Sequence, residues 1–270
     1  MTQAAHNGQY QISRVSPKLW LYTNFDCNLT CAYCVAESSP RAPRQALGLN
    51  TVQKLVNEAA AMGFTEVFFT GGEPFILDGI FDMLAYAQTK LNTVVLSNAM
   101  LLYGSRLERL CAVAGPRLKV QVSLDGGRPE HHDAYRGAGT WAKTVAGIRN
   151  LLGCGLRVSL STTETPANSA HLAQLHAFRR SLGIADEDHF VRPLAKRGFA
   201  QEGIEVGPDT LQPEVTVTAA GVYWHPLVSP SSTDMRVTGQ IFPLAQAVAC
   251  IEQQLLAEEA VSAEARTCFT

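Results

Sequence analysis

Three cysteines fall within one short stretch, Cys27-Asn28-Leu29-Thr30-Cys31-Ala32-Tyr33-Cys34, at the spacing C-x3-C-x2-C. Thiolates this close on one loop can ligate three irons of a cubane iron–sulfur cluster. No fourth cysteine stands nearby, so one iron would stay open to a ligand from solution. Zinc is the other metal such thiolates serve, but a structural zinc usually takes four protein ligands drawn from two short Cys/His clusters. The chain has no second cluster of that kind. Cys111 falls on the apolar face of a helical segment, where a thiol behaves as a small hydrophobe. Cys154 lies in a Gly-Cys-Gly turn.

Other residues suited to chemistry follow strand-like segments. Gly71-Gly72-Glu73-Pro74 comes directly after residues 66–70, Ser97-Asn98 after 93–97, and Ser123-Leu124-Asp125-Gly126 after 118–124. Glycines let the backbone approach a partner closely, and Glu73 adds a carboxylate beside them. Downstream stand His131, His132, Asp133 and Arg136, then Thr162, Thr163 and Asn168, then Arg192-Pro193. His131 and His132 are not read as metal ligands, because adjacent loop residues rarely aim at one ion. Asp125 and Asp133 are read as turn organisers, with Asp125 kept as a candidate near a substrate.

The elements that must position these residues alternate from residue 18 to residue 192. Strand-like runs at 18–24, 66–70, 93–97, 118–124, 157–163 and 189–194 are separated by helical patterns. The first helix is predicted over 51–62, with Asn50 as N-cap and Gln53 completing a capping box. Thr140 is predicted to cap a helix carrying Trp141, Val145, Ile148 and Leu152. Short connections between strand and helix imply parallel strands with right-handed crossovers. A barrel and an open doubly wound sheet both satisfy that pattern. After about residue 200, segments 214–218 and 222–225 predict a hairpin over Ala219-Ala220-Gly221, followed by a helix from 244 to about 259.

With 270 residues, 46% hydrophobic and 17% charged, the chain can bury the core of one large α/β domain, with or without a small extension. A net charge of −2 offers no global field for nucleic acid. Residues 1–11 lack the apolar core of a signal peptide, and no apolar run reaches membrane-spanning length. Seven cysteines, an odd number, then read as thiols and metal ligands in a reducing cytoplasm.

The cysteine loop after the first strand and Gly71-Gly72-Glu73 after the second together resemble the radical S-adenosylmethionine (SAM) superfamily, over about residues 18–195. The resemblance implies an α/β fold, a partial (β/α)6 TIM-like barrel with a small C-terminal α+β extension, and chemistry at the C-terminal strand ends. It implies a [4Fe–4S] cluster on Cys27, Cys31 and Cys34, with SAM chelating the open iron. Glu73 and the Gly71-Gly72 backbone would face the SAM amine, and Ser123 and Arg136 its carboxylate. Ser97 and Asn98 would meet the ribose, and Tyr33 the adenine. The S-x-D-G at 123–126 and the H-D-x-x-R-G at 132–137 resemble the sulfatase-maturase and peptide-modifying branch.

In that branch a SPASM or twitch domain usually carries an auxiliary cluster. Here His225 stands where a cysteine is usual, and only Cys250 and Cys268 follow. The expected division is a lead-in at 1–17, a radical SAM core at 18–198, and a degenerate, clusterless extension at 199–270. The expected reaction is cleavage of SAM to a 5′-deoxyadenosyl radical that abstracts hydrogen from a peptide or a natural-product or cofactor precursor. An external one-electron donor such as flavodoxin or ferredoxin would feed it, with no nucleic acid or membrane as partner. The alternatives are a non-enzymatic iron–sulfur electron carrier and a zinc-stabilised binding module.

Overall fold

The computed structural model describes residues 15–231 and 233–267, with side chains to residue 256. Six parallel strands alternate with helices: β1 (Lys18–Asn24), α1 (Leu49–Ala61), β2 (Glu66–Gly71), α2 (Ile80–Ala87), β3 (Asn92–Ser97), α3 (Gly104–Ala112), β4 (Leu118–Ser123), α4 (Pro129–Arg136), α5 (Thr140–Gly153), β5 (Arg157–Glu164), α6 (Leu172–Ser181) and β6 (His189–Pro193). Then come β7 (Val215–Thr218), β8 (Gly221–Tyr223), β9 (Arg236–Thr238) and α7 (Leu244–Thr267).

The sheet order is β6-β5-β4-β3-β2-β1-β7-β8-β9. The first six strands therefore lie side by side in chain order. A doubly wound sheet would reverse its order at a switch point. Monotonic order is the winding of a barrel, here with β6 at one free edge. The expected hairpin forms, and β7 lies parallel to β1 before β8 turns back antiparallel. The chain after residue 199 thus continues the same sheet.

Strand side chains alternate between faces. Leu19, Leu21, Val67, Phe69, Val95, Val120, Val122 and Leu160 point outward and are fully buried beneath the helices, against residues such as Leu55, Leu84, Leu110 and Ile148. Their neighbours point inward and line a cavity of about 810 Å³, the barrel lumen. On that inner face Trp20 and Phe68 stack at 4.3 Å, with Val94 beside them.

Two capping expectations fail for traceable reasons. Helix α1 begins at Leu49 with Gly48 as N-cap and no side-chain cap, so the Asn50–Gln53 box does not form. Buried Leu47 donates its amide to the Thr23 carbonyl at 3.0 Å, docking the chain on β1 just before the helix starts. Thr140 is the first residue of α5, not its cap. Asp133 takes that role from α4, accepting from Gly139 N, Thr140 Oγ1 and Trp141 N at 2.7, 3.0 and 2.8 Å. Burial pushes the Asp133 carboxyl up, but these three donors outweigh it and hold the group below its ordinary value. The stretch around Arg136, read from sequence as loop, is helix α4 with Pro129 in its first turn. No described helix is long and apolar enough to cross a membrane.

Candidate active site

The sequence-predicted residues converge on the C-terminal strand ends. The cysteine loop leaves β1 and closes where Cys27 N donates to Ser39 O at 3.1 Å. Helix α4 holds it from one side through Ala32 N to Tyr135 O at 2.8 Å, and Phe199 N holds Cys34 O at 3.0 Å from the other. Two sulfurs already accept backbone amides: Leu29 N donates to Cys27 Sγ and Ser38 N to Cys34 Sγ, each at 3.4 Å. Such bonds favour thiolate over thiol. Burial, reinforced by the Glu73 charge, otherwise pushes the Cys27 thiol up to about 12. Burial likewise raises Cys31 to about 11. Thiolates here need a compensating cation, which cluster irons supply. Among the described residues no three His, Cys, Asp or Glu side chains are grouped to hold a single metal ion. The three cysteines of this loop suit a cluster, in which each thiolate takes its own iron.

The Gly71-Gly72-Glu73 turn is clamped to the base of that loop. A Cβ on Gly71 would lie 2.1 Å from Asn24 O, and one on Gly72 would lie 2.0 Å from Asp26 O. Gly72 N donates to Asn24 O at 2.9 Å and Glu73 N to Asp26 O at 3.0 Å. The missing side chains thus let two strand ends touch. Glu73 is 1% exposed. Its Oε1 accepts from Phe75 N and Ser97 Oγ at 3.2 and 2.9 Å, and its Oε2 from Asn98 N at 2.9 Å. Burial raises this carboxyl to about 7 against the pull of those donors. Asn98 Nδ2 in turn donates to Asn28 Oδ1 at 2.8 Å. Glu73, Ser97 and Asn98 so lace β2 and β3 to the cysteine loop.

Asp125, read from sequence chiefly as a turn residue, is the hub of the other half. Its Oδ2 accepts from Tyr33 Oη at 2.5 Å and Arg136 Nε at 2.6 Å, and its Oδ1 from Thr163 N at 2.9 Å. Asn168 Nδ2 donates to its carbonyl at 2.8 Å. Asp125, Tyr33 and Arg136 are all buried, and the Arg136 guanidinium lies 5.3 Å from the Tyr33 ring centre. Arg136 spends only Nε on protein among the described residues, leaving its two terminal amino groups for a ligand. Ser123 is half-buried, and its hydroxyl makes no hydrogen bond among the described residues. The available signal for Asp125 was an acidic residue at a strand end, eleven positions before an arginine.

His131 and His132 make separate contacts. The His131 ring stacks on His171 at 4.0 Å, whereas His132 Nδ1 accepts from Asp125 N at 3.1 Å. Burial, helped by the Arg136 charge, lowers His132 from 6.5 to about 4. The unfolded chain therefore takes up this proton at higher pH than the folded one. The neutral ring's contribution is complete above pH 6.5 and is lost as pH falls toward 4. The loss reaches about 2 kcal/mol by about pH 5. His132→Asn, whose Oδ1 can replace Nδ1 as acceptor, should flatten the fall in Tm between about pH 7 and pH 5. A fall as steep as the parent's would clear His132 as its source.

Beneath this apex, the lumen reaches up to Tyr22, Thr70, Leu96 and Val35. A reactant bound at the cysteine loop would therefore lie at the upper end of this lumen.

A family model described as the radical SAM superfamily matches residues 21–167. The AdoMet-dependent heme synthase of Methanosarcina barkeri is 29% identical over 184 residues, covering 67% of this chain and 52% of that protein. The mycofactocin maturase MftC of Mycobacterium tuberculosis is 31% identical over 174 residues, covering 64% and 44%. The chain spans about half the length of these curated relatives. Streptococcus suis SuiB bound to precursor peptide SuiA superposes with a TM-score of 0.60 at 19% identity, over 69% of this chain and 42% of that one, a likeness of fold. With the cysteine loop and the Gly-Gly-Glu turn both in the matched region, the chain belongs to the radical SAM superfamily, whose members use a [4Fe–4S] cluster and SAM.

Proposed function

We propose that this chain is the SAM-cleaving core of an enzyme that modifies a peptide or a small natural-product or cofactor precursor by hydrogen abstraction. The observation that carries the reading is the laced apex: three cysteines, the Glu73 turn and the Asp125–Arg136 pair are held at one end of a barrel, over its lumen. A cluster held by Cys27, Cys31 and Cys34 would supply the electron for reductive cleavage of SAM, the source of the hydrogen-abstracting group.

The chain's own residues then have these roles. Cys27, Cys31 and Cys34 hold the cluster. The Arg136 amino groups and Ser123 hydroxyl receive the SAM carboxylate, a fit for forked donors. The Gly71-Gly72 backbone and Glu73 face the amine, Ser97 and Asn98 the ribose, and Tyr33 the adenine. The barrel walls exclude water from the reacting centre. We assign residues 18–198 to the radical core and 199–270 to the extension. Among the described residues of that extension, His225 lines the lumen and Cys250 lies on α7. Cys268 lies outside the described residues. We read the segment as clusterless, the donor as a cytoplasmic flavodoxin or ferredoxin, and neither nucleic acid nor membrane as a partner. A peptide is favoured by the names of the maturase and of the peptide-bound neighbour. A small molecule is favoured by that of the heme synthase.

The test is anaerobic reconstitution with SAM and dithionite, followed by detection of 5′-deoxyadenosine. Its absence from protein that holds an intact cluster would overturn the proposal. Within it, Glu73→Ala should retain iron but bind SAM more weakly by about 1.5–3 kcal/mol, the value of a charge-assisted hydrogen bond. Unchanged SAM affinity would remove Glu73 from the site.

A further inference from the structure

Midway along the lumen, Gln121 of β4 and Ser159 of β5 are register partners on the inner face. Gln121 is 2% exposed and Ser159 fully buried, and Gln121 Nε2 and Ser159 Oγ have no hydrogen-bond partner among the described residues. Buried polar side chains are paired in the large majority of cases, and an unpaired one carries a net penalty. An apolar pair would build the same wall without it. The facing strands do that, with Trp20, Phe68 and Val94 forming an apolar wall. The lumen therefore has an aromatic side on β1–β3 and a side of unspent polar groups on β4–β5.

Charge points the same way. Lys18 is paired with Glu214 and Lys119 with Asp188. Arg192, an exposed residue of β6, lines the edge of the lumen and makes no hydrogen bond or salt bridge among the described residues. It stands level with Thr163, nearer the cysteine loop than Ser159. Glu66, an acidic lining residue, lies beside Lys18 at the opposite mouth. What remains in the middle and upper lumen is a set of unpaired donors and one cation, Arg192, whose charge Glu214 offsets only from a distance, with no direct ion pair among the described residues.

Resting on the function proposed above, we infer that the lumen binds a substrate group with a flat apolar body and a carboxylate. The body lies on Trp20 and Phe68, Gln121 and Ser159 donate to the carboxylate oxygens, and Arg192 supplies the attracting charge. An orphaned pair is retained because the ligand, and not the fold, completes it.

The experiment uses the anaerobically reconstituted protein and two probes of one shape, phenylbutyrate and phenylbutyramide, in calorimetric titrations. The parent should bind the carboxylate about tenfold tighter than the amide, and Arg192→Gln should erase that preference. The pair Gln121→Leu with Ser159→Ala should weaken carboxylate binding by about tenfold or more and raise the Tm of the ligand-free protein. Equal binding of both probes by the parent, unchanged binding by the double variant, or a lowered Tm would each overturn the inference. Iron content and 5′-deoxyadenosine formation of the parent preparation decide the radical reading separately. Active protein indifferent to the probes would sink the lumen assignment alone. Protein that discriminates the probes but does not cleave SAM would support the lumen assignment and sink the radical reading alone.

Discussion

Cys31→Ala should leave a folded protein that makes no detectable 5′-deoxyadenosine. Cys31 is partly buried on the loop and no other described residue donates to its sulfur, so removing its small side chain costs the fold little. A truncation of this kind at a partly buried loop site usually changes stability by about 1 kcal/mol. The cluster has no spare thiolate to replace it, since the free cysteines described elsewhere, Cys111, Cys154 and Cys250, lie on other elements. Parent protein prepared without oxygen should carry about four irons and four sulfides per chain, the content of one cubane. Stoichiometric zinc would end the radical reading. About eight irons would place a second cluster in the C-terminal segment and would favour net oxidative chemistry, which a clusterless segment disfavours.

Asp125→Ala is expected to be the most damaging single change to the fold of the site. It strands the Arg136 guanidinium in a buried position and removes the acceptor for Tyr33 Oη and Thr163 N. Breaking a buried pair from one side costs about 3–5 kcal/mol. For a chain of this size that is roughly 6–20 °C in Tm. Because Tyr33 lies between Cys31 and Cys34, the cysteine loop should loosen as well, and iron content should fall with stability. Replacing both charges, Asp125→Leu with Arg136→Met, should restore much of the Tm because no unpaired charge is left. It should not restore SAM cleavage, since the proposed carboxylate donor is gone. A Tm for Asp125→Ala within about 3 °C of the parent's would show that the pair does not organise the apex.

The six strands, most of the helices and the cysteine loop can be read from the chain alone because each is encoded locally. A strand buried on both faces needs only a run of apolar residues, and a helix needs only its periodic face. Lys18–Asn24 and Glu66–Gly71 accordingly appear within a residue or two of where the pattern puts them. Cys27, Cys31 and Cys34 are legible for the same reason, since their spacing sits within a single loop.

What the local pattern does not hold is which distant segments meet. Tyr33 and Asp125 are 92 positions apart. Glu73 finds Ser97 and Asn98 only because β2 and β3 are neighbours in the sheet. The choice of barrel over doubly wound sheet, the docking of β7 on β1, and the cap that Asp133 lends to α5 are likewise settled by packing between elements. Gln121 and Ser159 read in sequence as ordinary strand residues. Only the curling of the sheet and the packing around it bury them together and leave their polar atoms without partners among the described residues, because hydrogen-bond satisfaction depends on everything packed around a group and not on its own segment.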